Sequence, residues 1–125
     1  MKKHKIFIVD DQENVRRLIT HWLDPSVYDI REFADGPSFL EALEEQPDAV
    51  CLDIMMPGMD GIQVLKQVRL RNSDLPVIMV TAAESLDVAV EAMKEGAYDF
   101  ITKPIDRHRL RTSLKKAVEK RSMTR

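Results

Sequence analysis

Apolar residues along this chain form two alternating kinds of run. Short, nearly continuous apolar stretches end abruptly in polar residues. They are Lys5–Val9 before Asp10 and Asp11, Ala49–Leu52 before Asp53, Val77–Val80 before Thr81, and Phe100–Thr102 before Lys103. Between them apolar positions recur at helical spacing. Val15, Leu18, Ile19, Trp22 and Leu23 mark a first helix, ended by Asp24-Pro25. A weaker strand at Tyr28–Phe33 follows, and Asp35-Gly36-Pro37 opens a helix carrying Phe39, Leu40 and Leu43 that Pro47 closes. Pro57–Gly61 reads as a turn in which Asp60 caps a helix bearing Leu65 and Val68. Pro76 starts the fourth strand. Leu86, Ala89, Val90 and Met93 then mark a helix that stops at Gly96, where a left-handed C-terminal glycine is natural. Tyr98–Thr102 is the fifth strand, and Leu110, Leu114 and Val118 stripe the last helix.

Five βα units in succession predict a three-layer α/β sandwich around a parallel sheet. A chain of 125 residues is one domain and too short for an eight-unit barrel. Parallel strands joined by crossover helices present their C-terminal ends on one edge. Asp10, Asp11, Asp53, Thr81 and Lys103 are therefore expected to converge there.

Composition changes this picture little. Apolar residues are 44% and charged residues 32%, an ordinary globular balance. The apolar runs are strand-sized, so no transmembrane span or membrane partner is expected, and Met1–Lys5 leads into a strand rather than a signal-peptide core. Cys51 is the only cysteine and lies inside a strand, so an inert buried thiol and a cytoplasmic location are expected. Charge is uneven: residues 1–105 carry 11 Lys+Arg against 19 Asp+Glu, and residues 106–125 carry 8 against 2. The basic end reads first as the solvated face of the last helix. A nucleic-acid tail is the sharper alternative, but no aromatic interleaving or binding motif supports direct nucleic-acid contact. His4, His21 and His108 have no metal-like spacing.

Three carboxylates, a hydroxyl and an ammonium on one edge suit a divalent cation and a phosphoryl group. A carboxylate pair after one strand and a third carboxylate after another can hold Mg²⁺ from one side while waters fill its other positions. Without a cation, the three would repel. A carboxylate can also attack phosphorus and form an acyl phosphate. Mg²⁺ and Lys103 would neutralise the equatorial oxygens and Thr81 would donate to another, while the small Ala82 leaves space. Pro104 after Lys103 is a candidate for a cis peptide bond.

Together these stretches resemble a known family. Ile8–Asp11, Leu52–Gly61, Val80-Thr81-Ala82, Gly96–Phe100 and Lys103-Pro104, in this order, resemble the receiver domain of bacterial two-component response regulators. The resemblance runs from about Lys5 to about Val118. It implies a single receiver domain over 1–125, with 119–125 a basic tail or the start of a linker. It further implies a doubly wound, flavodoxin-like (βα)5 fold with strand order 2-1-3-4-5. By the same resemblance Asp53 takes a phosphoryl group from the phosphohistidine of a sensor histidine kinase. Asp11, Asp53 and the Met55 backbone carbonyl hold Mg²⁺, with Mn²⁺ able to substitute, and Asp10 acts largely through water. Thr81 moves toward the phosphate, and the aromatic three residues before the lysine, here Phe100, turns inward. Phe100 lacks a hydroxyl, so packing alone would hold that state. Tyr98 is read on the same strand face but at the wrong spacing from Lys103.

Two further positions bear on phosphate lifetime. Met55 and Ala83, two residues after Asp53 and Thr81, are expected to flank the path of an attacking water and to offer it no partner. They are read as tuning hydrolysis toward persistence for minutes or longer, although Met55 filling space is equally open. The expected protein is a signalling domain that catalyses only its own phosphorylation and dephosphorylation. It would switch the surface of the fourth helix, fifth strand and last helix. That surface would act on an output domain or downstream protein, with transcription as the expected end point. A phosphorylation-dependent homodimer using rim charges such as Asp99, Arg109 and Lys94 is expected on the same surface.

Three rivals remain in view. An aspartyl phosphatase needs a second carboxylate two residues after the nucleophile, where Met55 stands. A flavin carrier on the same fold needs a phosphate loop rich in Ser, Thr and Gly, where Asp10-Asp11-Gln12-Glu13 stands. The third, a phosphorylation-independent receiver-like interaction module, would be expected to lack one of the acidic residues or the lysine. The chain reads equally as a stand-alone receiver or as part of a longer regulator.

Overall fold

The computed structural model describes residues 2–72, 74–82 and 86–124, with side chains as far as Arg121. Five strands, β1 (His4–Val9), β2 (Tyr28–Phe33), β3 (Ala49–Leu52), β4 (Val77–Thr81) and β5 (Asp99–Thr102), alternate with five helices. The helices are α1 (Glu13–Trp22), α2 (Gly36–Glu41), α3 (Gly61–Arg71), α4 (Leu86–Lys94) and α5 (Arg107–Thr124). All strand pairings are parallel and the order is β2-β1-β3-β4-β5. This is the flavodoxin-like doubly wound arrangement, in which the strand order reverses between β1 and β3.

The sheet is covered on both faces, which is why its strands read as apolar runs rather than alternating ones. Side chains still alternate along each strand. Phe7, Val9, Val50, Leu52, Val77 and Met79 join Phe39, Val64, Leu65 and Val68 from α2 and α3 in one core. Ile6, Ile8, Cys51, Ile78, Val80 and Ile101 join Ile19, Leu110, Leu114 and Ala117 from α1 and α5 in the other. The α5 stripe Leu110, Leu114, Val118 is buried as expected. Burial pushes the Cys51 thiol up to about 12, so it is protonated and inert.

Local signals explain the helix starts. Asp35 accepts the Ser38 N–H at 2.8 Å, with Pro37 in the first turn of α2. Asp60 and Gln63 form a reciprocal capping box at the start of α3. The α2 segment is shorter than the sequence suggests. It passes into a 3₁₀ turn over Ala42–Glu45, and Gln46 in the left-handed region (φ 57°) ends it before Pro47.

The fourth helix departs more sharply from its pattern. Of its apolar stripe, Leu86, Val90 and Met93 are exposed, and the residues turned to the core are Ala92 and, in part, Val88. Leu18 of α1 is likewise exposed, while its neighbour Ile19 is buried. Helical periodicity reports that a stripe exists, not which side of the helix the sheet covers. Tyr98 also needs correction. It precedes β5 and packs with the α1/α5 core, whereas Phe100 packs against the opposite one, so the two do not share a face. Among the described residues, no helix is long and apolar enough to cross a membrane.

Candidate functional site

Register decides what meets at the strand ends. Val9 pairs with Leu52, Leu52 with Met79, and Thr81 with Thr102. The next residues on β1, β3 and β5 are Asp10, Asp53 and Lys103, so all three emerge at one edge of the sheet. Gly61 lets α3 start close beneath this edge. A Cβ there would lie 2.3 Å from the Asp53 carbonyl oxygen. Gly58, with φ +80°, turns the loop between them.

Asp10 and Asp53 are each 2% exposed, while Asp11 faces solvent. Carboxylate oxygens of Asp10, Asp11 and Asp53 lie within 4.8 Å of one another. The Lys103 Nζ donates to Asp10 Oδ2 at 3.0 Å and to Asp53 Oδ2 at 3.4 Å. The Lys103 ammonium thus bridges two of the three clustered carboxylates. Burial, and then the Asp10 charge, push the Asp53 carboxyl up to about 6 against the pull of Lys103 and the Met55 N–H. Burial works against the Lys103 ammonium, yet its hydrogen bond to Asp10 and the Asp53 charge hold it above its ordinary value. An all-oxygen donor set with surplus negative charge fits a hard divalent cation such as Mg²⁺.

The other expected residues lie around this cluster. Thr81 is fully buried at the end of β4, and its carbonyl accepts the Lys103 N–H at 2.8 Å. Ala82 is exposed beside it. The Lys103–Pro104 peptide is cis. Phe100 is half-buried against the α2/α3 core. Met55 donates its N–H to Asp53 Oδ1 at 3.1 Å, and its side chain is 61% exposed. A groove lined by Asp11, Met55, Met56, Lys66 and Val88 opens beside it. Ala83, the second expected tuning position, lies outside the described residues.

Some partners were not visible in the sequence. Gln12 donates its N–H to Asp10 Oδ1 at 2.8 Å, and Arg16 donates to the Asp10 carbonyl at 2.8 Å. The only available signal was an arginine one turn into the helix that follows the acidic pair. Asp99 and Arg109, expected as rim charges for a second copy, are paired within the chain at 2.7 and 2.9 Å. Ser113 adds a hydroxyl donor to Asp99 at 2.7 Å. The Arg109 hydrogen bonds, with help from Ser113 and the Phe100 N–H, hold the Asp99 carboxyl down at about 2 despite its partial burial.

Comparison with known proteins places the chain among receiver domains. A family model described as the response regulator receiver domain matches residues 6–115. The DNA-binding transcriptional regulator NtrC of Escherichia coli (strain K12) is 40% identical over 107 residues, covering 85% of this chain and 23% of that protein. Regulatory protein LuxO of Vibrio cholerae is 37% identical over 116 residues, covering 92% of this chain and 26% of that protein. The chain therefore spans about a quarter of the length of these curated relatives. The crystal structure of the signal receiver domain of a putative LuxO repressor protein from Vibrio parahaemolyticus superposes with a TM-score of 0.93. It is 28% identical and covers 98% of this chain and 95% of that one. NtrX from Brucella abortus, in complex with ADP, gives 0.89 at 32% identity, covering 98% of this chain and 29% of that one.

Proposed function

The chain belongs to the response regulator receiver domain family, and from that footing we propose that Asp53 is its phosphoacceptor. The observation that carries this reading is the buried Asp53 carboxylate, crowded by Asp10 and Asp11 and bridged to Lys103. The donor is the phosphohistidine of a sensor histidine kinase acting in the cytoplasm. An Asp53 oxygen forms the new O–P bond while the P–N bond to the donor imidazole breaks, and the nitrogen keeps that electron pair. Asp11, Asp53 and the Met55 carbonyl, with Asp10 acting largely through water, would hold Mg²⁺ or Mn²⁺, which would supply positive charge to a phosphoryl oxygen.

The chain's own residues do the rest. Lys103 already reaches Asp53 and neutralises a second oxygen, and the Thr81 hydroxyl donates to a third. Ala82 adds no bulk beyond Cβ where the phosphoryl group must sit. Inward packing of Phe100 follows the movement of Thr81 and alters the surface of α4, β5 and α5. The exposed Leu86, Val90 and Met93 on α4 support this face as the output surface. It serves an output domain or downstream protein, and in the phosphorylated state a second copy of the chain. Since Asp99 and Arg109 pair internally, the apolar stripe and Lys94 are the better candidates for that contact. The names of its NtrC and LuxO relatives support transcriptional control as the output. We read residues 1–125 as one receiver domain with its core over about 5–118.

Incubation with Mg²⁺ and acetyl phosphate, followed by intact-mass measurement, tests the assignment. One phosphoryl group is expected on the parent and none on Asp53→Asn. Equal labelling of both would overturn it.

A further inference from the structure

Arg16 on α1 has no part in the function described above, yet it is the side chain that holds the Asp10–Asp11 peptide. Asp10 follows the last residue of β1. Its N–H still bonds the Phe33 carbonyl of β2 at 3.1 Å, but its own carbonyl has left the sheet. The Arg16 Nη1 donates to that carbonyl at 2.8 Å. The Arg16 Nε lies 3.4 Å from Glu32 Oε1 on β2. The Thr20 hydroxyl reaches both the Arg16 carbonyl at 2.9 Å and Glu32 Oε2 at 3.2 Å. The guanidinium is thus anchored at one end by Glu32 and grips the Asp10 carbonyl with the other. A planar fork can make both contacts at once, which a lysine ammonium on its flexible stem cannot reproduce.

That carbonyl belongs to the peptide linking Asp10 to Asp11, and the tilt of this peptide sets the direction in which the Asp11 side chain leaves the backbone. The Asp10 carboxylate is fixed separately, by the Gln12 N–H and by Lys103. Without Arg16 the peptide plane could turn while Asp10 stayed in place, and the two carboxylates would no longer share one target. We propose that Arg16, braced by Glu32, is a positioning residue that aims Asp11 into the acidic site. Its charge is paired with Glu32, so the effect is geometric rather than a field effect. The inference rests on reading Asp10, Asp11 and Asp53 as a cation site.

Mn²⁺ binding, followed by loss of the free-ion EPR signal, tests it alongside melting temperatures in EDTA. Arg16→Gln is expected to weaken Mn²⁺ binding about tenfold or more, the scale seen when a ligand loses its supporting partner. Arg16→Lys should recover only part of the loss. Glu32→Gln should weaken binding in the same direction by less, and adding it to Arg16→Gln should cost nothing further. Arg17→Gln, which removes the neighbouring surface charge that pairs with Glu13, should leave Mn²⁺ binding unchanged. If Arg16→Gln does not fold, Glu32→Gln carries the test, because it frees the guanidinium without altering the acidic loop. Parent-like Mn²⁺ affinity in Arg16→Gln or in its substitute, or an equal loss in Arg17→Gln, would overturn the positioning role alone. A parent protein that binds no Mn²⁺ would overturn the cation site itself, and this inference with it.

Discussion

The two edges of the sheet both bury charge, and they handle it in opposite ways. At the N-terminal edge Asp48 is matched. It accepts the Lys5 N–H at 2.8 Å, lies 3.8 Å from the Arg121 Nε and 4.0 Å from the His4 ring, and its own N–H bonds the Lys5 carbonyl. At the C-terminal edge three carboxylates cluster, and Lys103 pairs with two of them, Asp10 and Asp53. The first arrangement ties α5 to the starts of β1 and β3. Among the described residues, the second is left with more carboxylates than paired cations. Surplus charge held in a rigid frame marks the edge as a place for a ligand, whereas matched charge marks the other as a fastening.

Exchanging the two roles by mutation gives the largest contrast. Asp11→Asn should weaken Mg²⁺ binding at least about 100-fold, beyond the effect of losing a supporting partner, with little change in stability. Asp48→Ala should do the reverse, leaving Mg²⁺ affinity intact and costing about 1–3 kcal/mol through the lost acceptor for Lys5 and the lost partner for Arg121. Calorimetric Mg²⁺ titration and urea unfolding of both variants check the pair. Metal-binding loss in Asp48→Ala would erase the distinction.

A smaller effect follows from the raised Asp53 carboxyl. Its ordinary value is 3.8 and its value in the fold is about 6, so the folded state disfavours the ionised form. Metal-free stability should therefore fall as pH rises from about 4 through about 6. Asp53→Asn removes that charge. In EDTA its melting temperature should exceed the parent's by several degrees at pH 7, and the gain should vanish below pH 4. A gain of the same size at both pH values would show that it has another source.

Smallest is the expected effect of Met55→Asn on phosphate lifetime. An amide beside Asp53 can hold an attacking water that the exposed methionine cannot, so phosphate loss from the labelled protein should quicken severalfold. Decay at the parent rate would assign Met55 to packing only.

What was legible in the sequence follows the same contrast. Each strand that feeds the site stops at a polar residue, and parallel topology carries those stops to one edge. The sequence alone therefore brings Asp10, Asp53, Thr81 and Lys103 together. Contacts that depend on a side chain's reach were not legible. Arg16 gripping the Asp10 carbonyl, Arg121 returning to Asp48 and Arg109 folding back on Asp99 leave no trace in periodicity, because long side chains choose partners in three dimensions. The α4 stripe misled for a related reason. Leu86, Val90 and Met93 have core spacing, but the sheet takes Val88 and Ala92, and the stripe remains outside. Tyr98 does not share the face of Phe100, because it lies one residue before β5, which begins at Asp99.

The surplus of carboxylate at the C-terminal edge is tested most directly by the pH dependence of Mg²⁺ affinity, measured calorimetrically between pH 5 and pH 8. On the proposed cation site, Asp53 would have to lose its proton to meet the cation, and with its carboxyl pushed up to about 6, affinity should be level above pH 7. It should fall toward tenfold per unit below about pH 6. An affinity that stays constant down to pH 5 would contradict the account, since Asp53 would then be an ordinary solvated carboxylate or no part of the site.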